Sequence, residues 1–131
     1  MINARLSFPT SETVVDLSKP LYELQTQLRK ANVLTHPNNI TLDNSRMLKV
    51  ELFAEDSTGE NILSILDCNT DTLGTVNKLC SLIRKMDYRD DKVFSDNLAN
   101  GSYATLTEAT RAAEKLNEAR RIENKKQEQV R

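Results

Sequence analysis

The chain has 131 residues, with 18 Lys and Arg against 19 Asp and Glu, a formal net charge of -1, an apolar fraction of 38% and no Trp. A length in that range suits one domain whose core needs no metal or disulfide staple, and the charge balance excludes a global field that would draw the protein to nucleic acid or anionic lipid, so any such contact has to be local. The opening residues lack the continuous apolar core of a secretory signal and no run approaches the roughly 18 apolar residues of a membrane span, so a cytoplasmic protein with no membrane partner is expected.

Ile2, Ala4, Leu6 and Phe8 alternate with Asn3, Arg5 and Ser7, a period of two that predicts a half-buried first strand ended by Pro9. Ser18 is placed to cap a helix over about 19–32, with Pro20 tolerated in its first turn and Leu21, Leu24, Leu28 and Ala31 on one face. Thr35 to Asn39 read as a connection, because the residue before Pro37 is pushed out of helical geometry, and Ile40 with Leu42 add a short extended piece. From Met47 to Glu55, Leu48, Val50, Leu52 and Ala54 alternate with Lys49, Glu51 and Phe53, the clearest strand in the chain. Turn chemistry at Asp56 to Glu60 precedes Ile62, Leu63, Ile65 and Leu66, an apolar run that predicts an inner strand and completes a hairpin.

A core helix over about 72–87 presents Leu73, Val76, Leu79, Cys80, Leu82, Ile83 and Met86, with Asp71 as its cap. The mixed charges from Arg84 to Lys92 read as a wet helix end and loop, and Val93 with Phe94 as a weak edge strand. Thr105 and Glu108 fit a capping box that opens a last helix over 105–131, whose narrow apolar stripe runs through Leu106, Ala109, Ala113 and Leu116 and whose end beyond Ile122 is expected to fray. The order strand, helix, strand, strand, helix is that of the ferredoxin-like split βαβ plan, β-α-β-β-α with a weak fourth strand. It predicts an α+β fold, divided into a sheet domain over 1–104 and a charged C-terminal helix over 105–131.

Chemistry-bearing motifs are sparse. His36 is the lone histidine, and a general base also needs a nucleophile and an orienting group. Cys68 and Cys80 lack zinc-type or Cys-x-x-Cys spacing and read as reduced core thiols. Asp67, Asn69 and Asp71 imitate the first ligands of a calcium loop, but Thr72 stands where glycine makes the bend and Lys78 where the bidentate glutamate belongs. Three scattered glycines cannot cradle a phosphate. The carboxylates Glu55, Asp56, Asp67, Asp71, Asp87, Asp90, Asp91 and Asp96 fall in turns and charged loops, where solvation leaves them ordinary. A non-enzyme with no cofactor, no catalytic residue and no metal is therefore expected.

What remains is surface. The small-residue stripe of the last helix permits close approach of another helix, and flanking charges can set its orientation. The leading expectation is a protein-interaction module, as an adaptor, inhibitor or regulatory subunit, that offers Leu116, Ala119 and Ile122 with Arg120 and Arg121 to a protein partner or to a second copy in a homodimer. Docking of that helix on its own domain would use the same stripe. The alternative is a nucleic-acid-binding regulator that uses the basic row Arg111, Lys115, Arg120, Arg121, Lys125 and Lys126.

Overall fold

A computed structural model describes residues 1–9, 11–43 and 48–129, the last three of them by backbone alone. The element order is β1 (Ile2–Ser7), β2 (Glu12–Asp16), α1 (Leu21–Lys30), a 3-10 turn (Pro37–Asn39), β3 (Lys49–Ala54), α2 (Ser57–Ser64), α3 (Leu73–Arg84), α4 (Tyr88–Ala99) and α5 (Leu106–Gln129). Among the described residues the three strands form one antiparallel sheet in the order β2-β1-β3. The fold is mixed α+β, as the patterning implies, but the connectivity is β-β-α-β followed by four helices and not the ferredoxin-like β-α-β-β-α order.

Alternation in β1 decides which side of the sheet becomes the core. Ile2, Ala4 and Leu6 are fully buried, and the register sets Ala4 beside Val15 of β2 and Leu6 beside Val50 of β3, both buried. On the opposite face Arg5 stays half exposed between two carboxylates, 3.5 Å from Glu12 and 3.5 Å from Glu51, so that face meets water and the helices lie on the other. The second strand is a correction. Pro9 does not end the sheet there but sits in a tight hairpin, where the Phe8 N–H donates to the Ser11 carbonyl at 2.7 Å and the chain turns straight back into β2.

Two further expected strands are helical. Asp56 accepts a hydrogen bond from the Gly59 N–H at 2.8 Å, which caps α2 and sends Ile62 and Leu63 into helical rather than extended geometry. A short apolar run carries no period of its own, so the cap settles it. The expected fourth strand at Val93 and Phe94 lies inside α4, whose N-terminus is capped by Asp87 through the Arg89 N–H at 2.9 Å. Its inner face is one residue per turn, Asp90, Phe94 and Leu98, and Phe94 stacks on Tyr103 with ring centroids 5.3 Å apart.

Several local assignments shift with the geometry. Pro20, not Ser18, stands at the N-cap of α1, while Ser18 donates to Asp16. Thr72 rather than Asp71 caps α3, in a reciprocal box with Thr75. Asp71 is instead turned back to accept from the Asp67 N–H at 2.8 Å, closing the loop that resembled a calcium site. Ile40 and Leu42 are buried around an isolated bridge from Thr41 to Thr72. Met47, the expected start of the strand that becomes β3, lies outside the described residues.

Candidate functional site

The long helix α5 is both rooted and projecting. At its start the Thr105 hydroxyl accepts from the Glu108 N–H at 3.2 Å, and the Glu108 carboxylate accepts from the Ala104 N–H at 2.7 Å, a reciprocal cap displaced by one residue from the expected box. Leu106, Ala109 and Ala113 are buried, and Ala112 and Leu116 pack half-buried against the same core. Alanine at these positions keeps the helix backbone close to α3.

Polar contacts then pin the helix along its length. Lys78 of α3 lies 3.3 Å from Glu114, and the Asn117 amide donates to the Leu82 carbonyl at 3.1 Å. Arg120 makes the last anchor, a two-pronged fork onto the buried carboxylate of Asp90 in the first turn of α4, at 3.2 Å from Nε and 3.1 Å from Nη2. Its remaining nitrogen reaches Glu123 at 3.2 Å. Hydrogen bonding to Asp90 holds the guanidinium pKa above its ordinary value.

Beyond that anchor every residue from Arg121 to Lys126 is exposed, and the helix continues to Gln129. At 1.5 Å per residue this is a projection of about 14 Å. Helical geometry thus persists past Ile122, where fraying was expected, because Arg, Glu, Lys and Gln are strong helix formers even without burial. Val130 and Arg131 lie outside the described residues.

The residues expected to meet a protein partner do not share one face. Leu116 and Arg120 are turned to the body, whereas Ala119 and Arg121 are exposed and Ile122 is 45% exposed. The basic row divides as well. Arg120 is committed to Asp90 and Arg121 to Glu118 at 2.7 Å, while Arg111, Lys115, Lys125 and Lys126 carry no ion pair among the described residues. The acids that interrupt this row in sequence are occupied: Glu114 by Lys78, Glu118 by Arg121 and Glu123 by Arg120. At about 100° of rotation per residue, the four remaining cations and Ile122 fall within little more than about a quarter of the helix circumference, an arc that also holds Glu118 with its partner Arg121 at the edge.

Other residues singled out in the sequence take local roles. His36 accepts the Asn38 N–H at 3.0 Å through Nδ1 as the cap of the 3-10 turn. Cys80 is buried, with its thiol pKa pushed up to about 12 by that burial, whereas Cys68 is exposed in the Asp67–Asp71 loop and is no core thiol. Asp16, Glu55, Asp56 and Asp91 meet around an open recess of about 450 Å³ that they share with Arg84. Among the described residues no three His, Cys, Asp or Glu side chains are grouped to hold a metal ion, and no helix is long and apolar enough to cross a membrane.

Asp90, expected as a solvated loop carboxylate, is instead buried within α4 and bound by Arg120, and Asn117 is a contact that sequence reasoning passes over. The signal for Asp90 was its spacing of four from Phe94 and eight from Leu98, which puts a carboxylate on the buried face of α4. Neither a protein-family model, nor a curated protein, nor a solved structure matches the chain.

Proposed function

We propose that this protein is a non-catalytic interaction module that presents the outer face and projecting end of α5 to a protein partner with an acidic surface. The observation that carries the reading is the pairing pattern on α5, in which Glu114, Glu118 and Glu123 are matched by Lys78, Arg121 and Arg120, so that the face of Arg111, Lys115, Lys125 and Lys126, which also carries Glu118, keeps a net positive charge. Ile122 in the middle of that face supplies apolar contact, the usual arrangement of a hydrophobic centre with a charged rim. Anchoring by Arg120 makes the helix a preformed ligand, so little conformational entropy is lost on docking. A second copy is the poorer fit, since antiparallel pairing through this face would set cations against cations.

A photo-crosslinking residue placed at position 122 is expected to give one discrete adduct in the native cell, and the same residue at exposed position 34 none. Reversing Lys125 and Lys126 to Glu should remove the adduct. Equal labelling from both positions, or an adduct indifferent to that reversal, would refute the reading.

The same face favours nucleic acid as a second reading, because four unpaired cations along one side of a helix can track phosphates. Four phosphate contacts predict a slope of about -3 to -4 in log affinity against log salt for a duplex probe. Ile122→Asp separates the two, as it should weaken a protein contact severely and a phosphate contact little.

A further inference from the structure

The sheet ends on β2, whose outer edge pairs with no strand among the described residues. The hydrogen bonds at the two ends of the β1–β2 ladder fix which main-chain groups face that edge. The Leu17 N–H donates to the Ile2 carbonyl at 3.0 Å and the Phe8 N–H to the Ser11 carbonyl at 2.7 Å, so both of these are hydrogen-bonded pairs. Alternation along an antiparallel ladder then gives the same character to Ala4 with Val15 and Leu6 with Thr13, and it turns the N–H and C=O groups of Glu12, Val14 and Asp16 away from β1. The ladder between β1 and β3 has the complementary phase, since the Glu55 N–H donates to the Met1 carbonyl at 2.9 Å. Among the described residues the outward groups of Glu12, Val14 and Asp16 bond to no other segment.

Most devices that blunt an edge strand are not used in β2. It contains no Pro and no Lys, and its register with β1 runs residue for residue without a bulge. Val14 at its centre is 51% exposed on the water-facing side of the sheet, between the carboxylates of Glu12 and Asp16 on the same side. Charge alone guards this edge, and it does so selectively. Two copies paired antiparallel about Val14 would set Glu12 of each opposite Asp16 of the other, like charge against like charge. A strand with a cation at each of those places turns both repulsions into attractions.

The surroundings extend that preference. Asp16 lines the open recess of about 450 Å³ in which Glu55, Asp56 and Asp91 outnumber Arg84 and the Met1 amine. At the other end Glu12 shares Arg5 with Glu51, and Lys30 lines the recess next to it, so the negative field is stronger at Asp16.

We infer that the outer edge of β2 takes up an extended segment of a protein partner as a fourth strand, with the pattern basic-x-apolar-x-basic. The main chain of that segment bonds the outward groups of Glu12, Val14 and Asp16, its apolar side chain lies beside Val14, and its cations lie beside the two carboxylates. The ladder selects the class of ligand, because only another extended main chain offers N–H and C=O groups at every second residue along one side. Charge selects among such chains. The pattern reads the same in both directions, so parallel and antiparallel addition both satisfy it.

The test is a titration of the ¹⁵N-labelled full chain with the capped heptapeptide Thr-Lys-Thr-Val-Thr-Lys-Thr, followed by NMR. Saturable shifts and slowed solvent exchange are expected at the Glu12, Val14 and Asp16 amides. Affinity should fall at least tenfold for a peptide with Glu in place of both lysines, and Glu12→Lys/Asp16→Lys should invert that preference. Glu12→Gln/Asp16→Asn should bind the two peptides within about threefold of each other, which keeps the result readable should the reversed pair fail to fold. N-methylation of alternate peptide residues separates ladder pairing from charge attraction: methyl groups on one set should abolish binding, and on the other set they should leave it within about threefold. The inference is overturned by no saturation at millimolar peptide, by shifts confined to α5, by equal binding of the Lys and Glu peptides, or by equal effects of the two methylated sets. It is also overturned by dimerisation of the parent chain that Val14→Pro removes, since that change deletes an outward N–H and no bond to β1 and would identify a second copy as the occupant. None of these outcomes bears on the α5 reading, whose cations lie on another element.

Discussion

Leu106 to Arg120 and Arg121 to Gln129 belong to one continuous helix of similar composition, yet they stand in opposite relations to the rest of the molecule. The first stretch buries Leu106, Ala109 and Ala113 and ends in the Arg120–Asp90 fork, whereas the second is exposed through Lys126. Helix propensity alone does not distinguish them. The difference comes from where the apolar residues fall: Leu106, Ala109 and Ala113 face the core, whereas Ala119 and Ile122 rotate to the exposed side, so that after Leu116 only Asn117 and Arg120 finish the docking. A chain can therefore make a projecting helical arm simply by turning its apolar residues away from the core before its helical stretch ends.

The largest effect that separates the stretches is deletion of buried volume. Leu106→Ala should cost about 2–5 kcal/mol in urea unfolding, whereas Ile122→Ala should move stability by less than about 0.5 kcal/mol. Next comes overpacking: Ala113→Leu has to push α5 away from its neighbours and should cost about 1–3 kcal/mol, while Ala119→Leu, on an exposed position, should be neutral within about 0.5 kcal/mol. Equal costs at the paired positions would show that the projecting stretch is packed. A smaller effect is expected from Arg120→Met, which keeps the aliphatic stem but leaves the Asp90 carboxylate without its fork. It should lower the melting temperature and speed amide exchange from Asn117 onward, and a chain ending at Asn124, which retains the fork and Glu123, should melt at the parent temperature.

Among the described residues, three of the five helices and two of the three strands could be read in advance. α1, α3 and α5 have apolar residues at three- and four-residue spacing, and β1 and β3 have a strict period of two, so periodicity alone locates them. β2 fails that test because Val14 and Val15 are adjacent in a five-residue strand, and its place depends on pairing with β1 across a hairpin that Pro9 seemed to forbid. α2 and α4 are invisible for a different reason. Each is decided by one capping aspartate, Asp56 or Asp87, whose side chain reads equally well as turn chemistry until the N–H it accepts from is known. At the candidate site the cations of α5 were legible, but their segregation was not, since it arises from which acids find Lys78, Arg120 and Arg121 in space.

The finest probe of the root is acid, through Asp87. The Arg89 N–H hydrogen bond is the main cause that holds this carboxyl below its usual range, and the positive charge of Arg120 adds to it. Because the folded chain keeps Asp87 ionised to lower pH than the unfolded chain does, its contribution is complete above the unfolded pKa of about 3.9 and is lost as pH falls through the lower folded value. Asp87→Asn retains a competent helix cap but cannot titrate. The difference in melting temperature between the parent and Asp87→Asn should therefore be largest near neutrality and shrink in acid. Following Asp87 by NMR in Arg120→Met should show its pKa move up toward the ordinary value, while truncation at Asn124 leaves it in place. A carboxyl that responded instead to the truncation would mean that the arm, and not the root, sets the electrostatics of the α4 N-terminus.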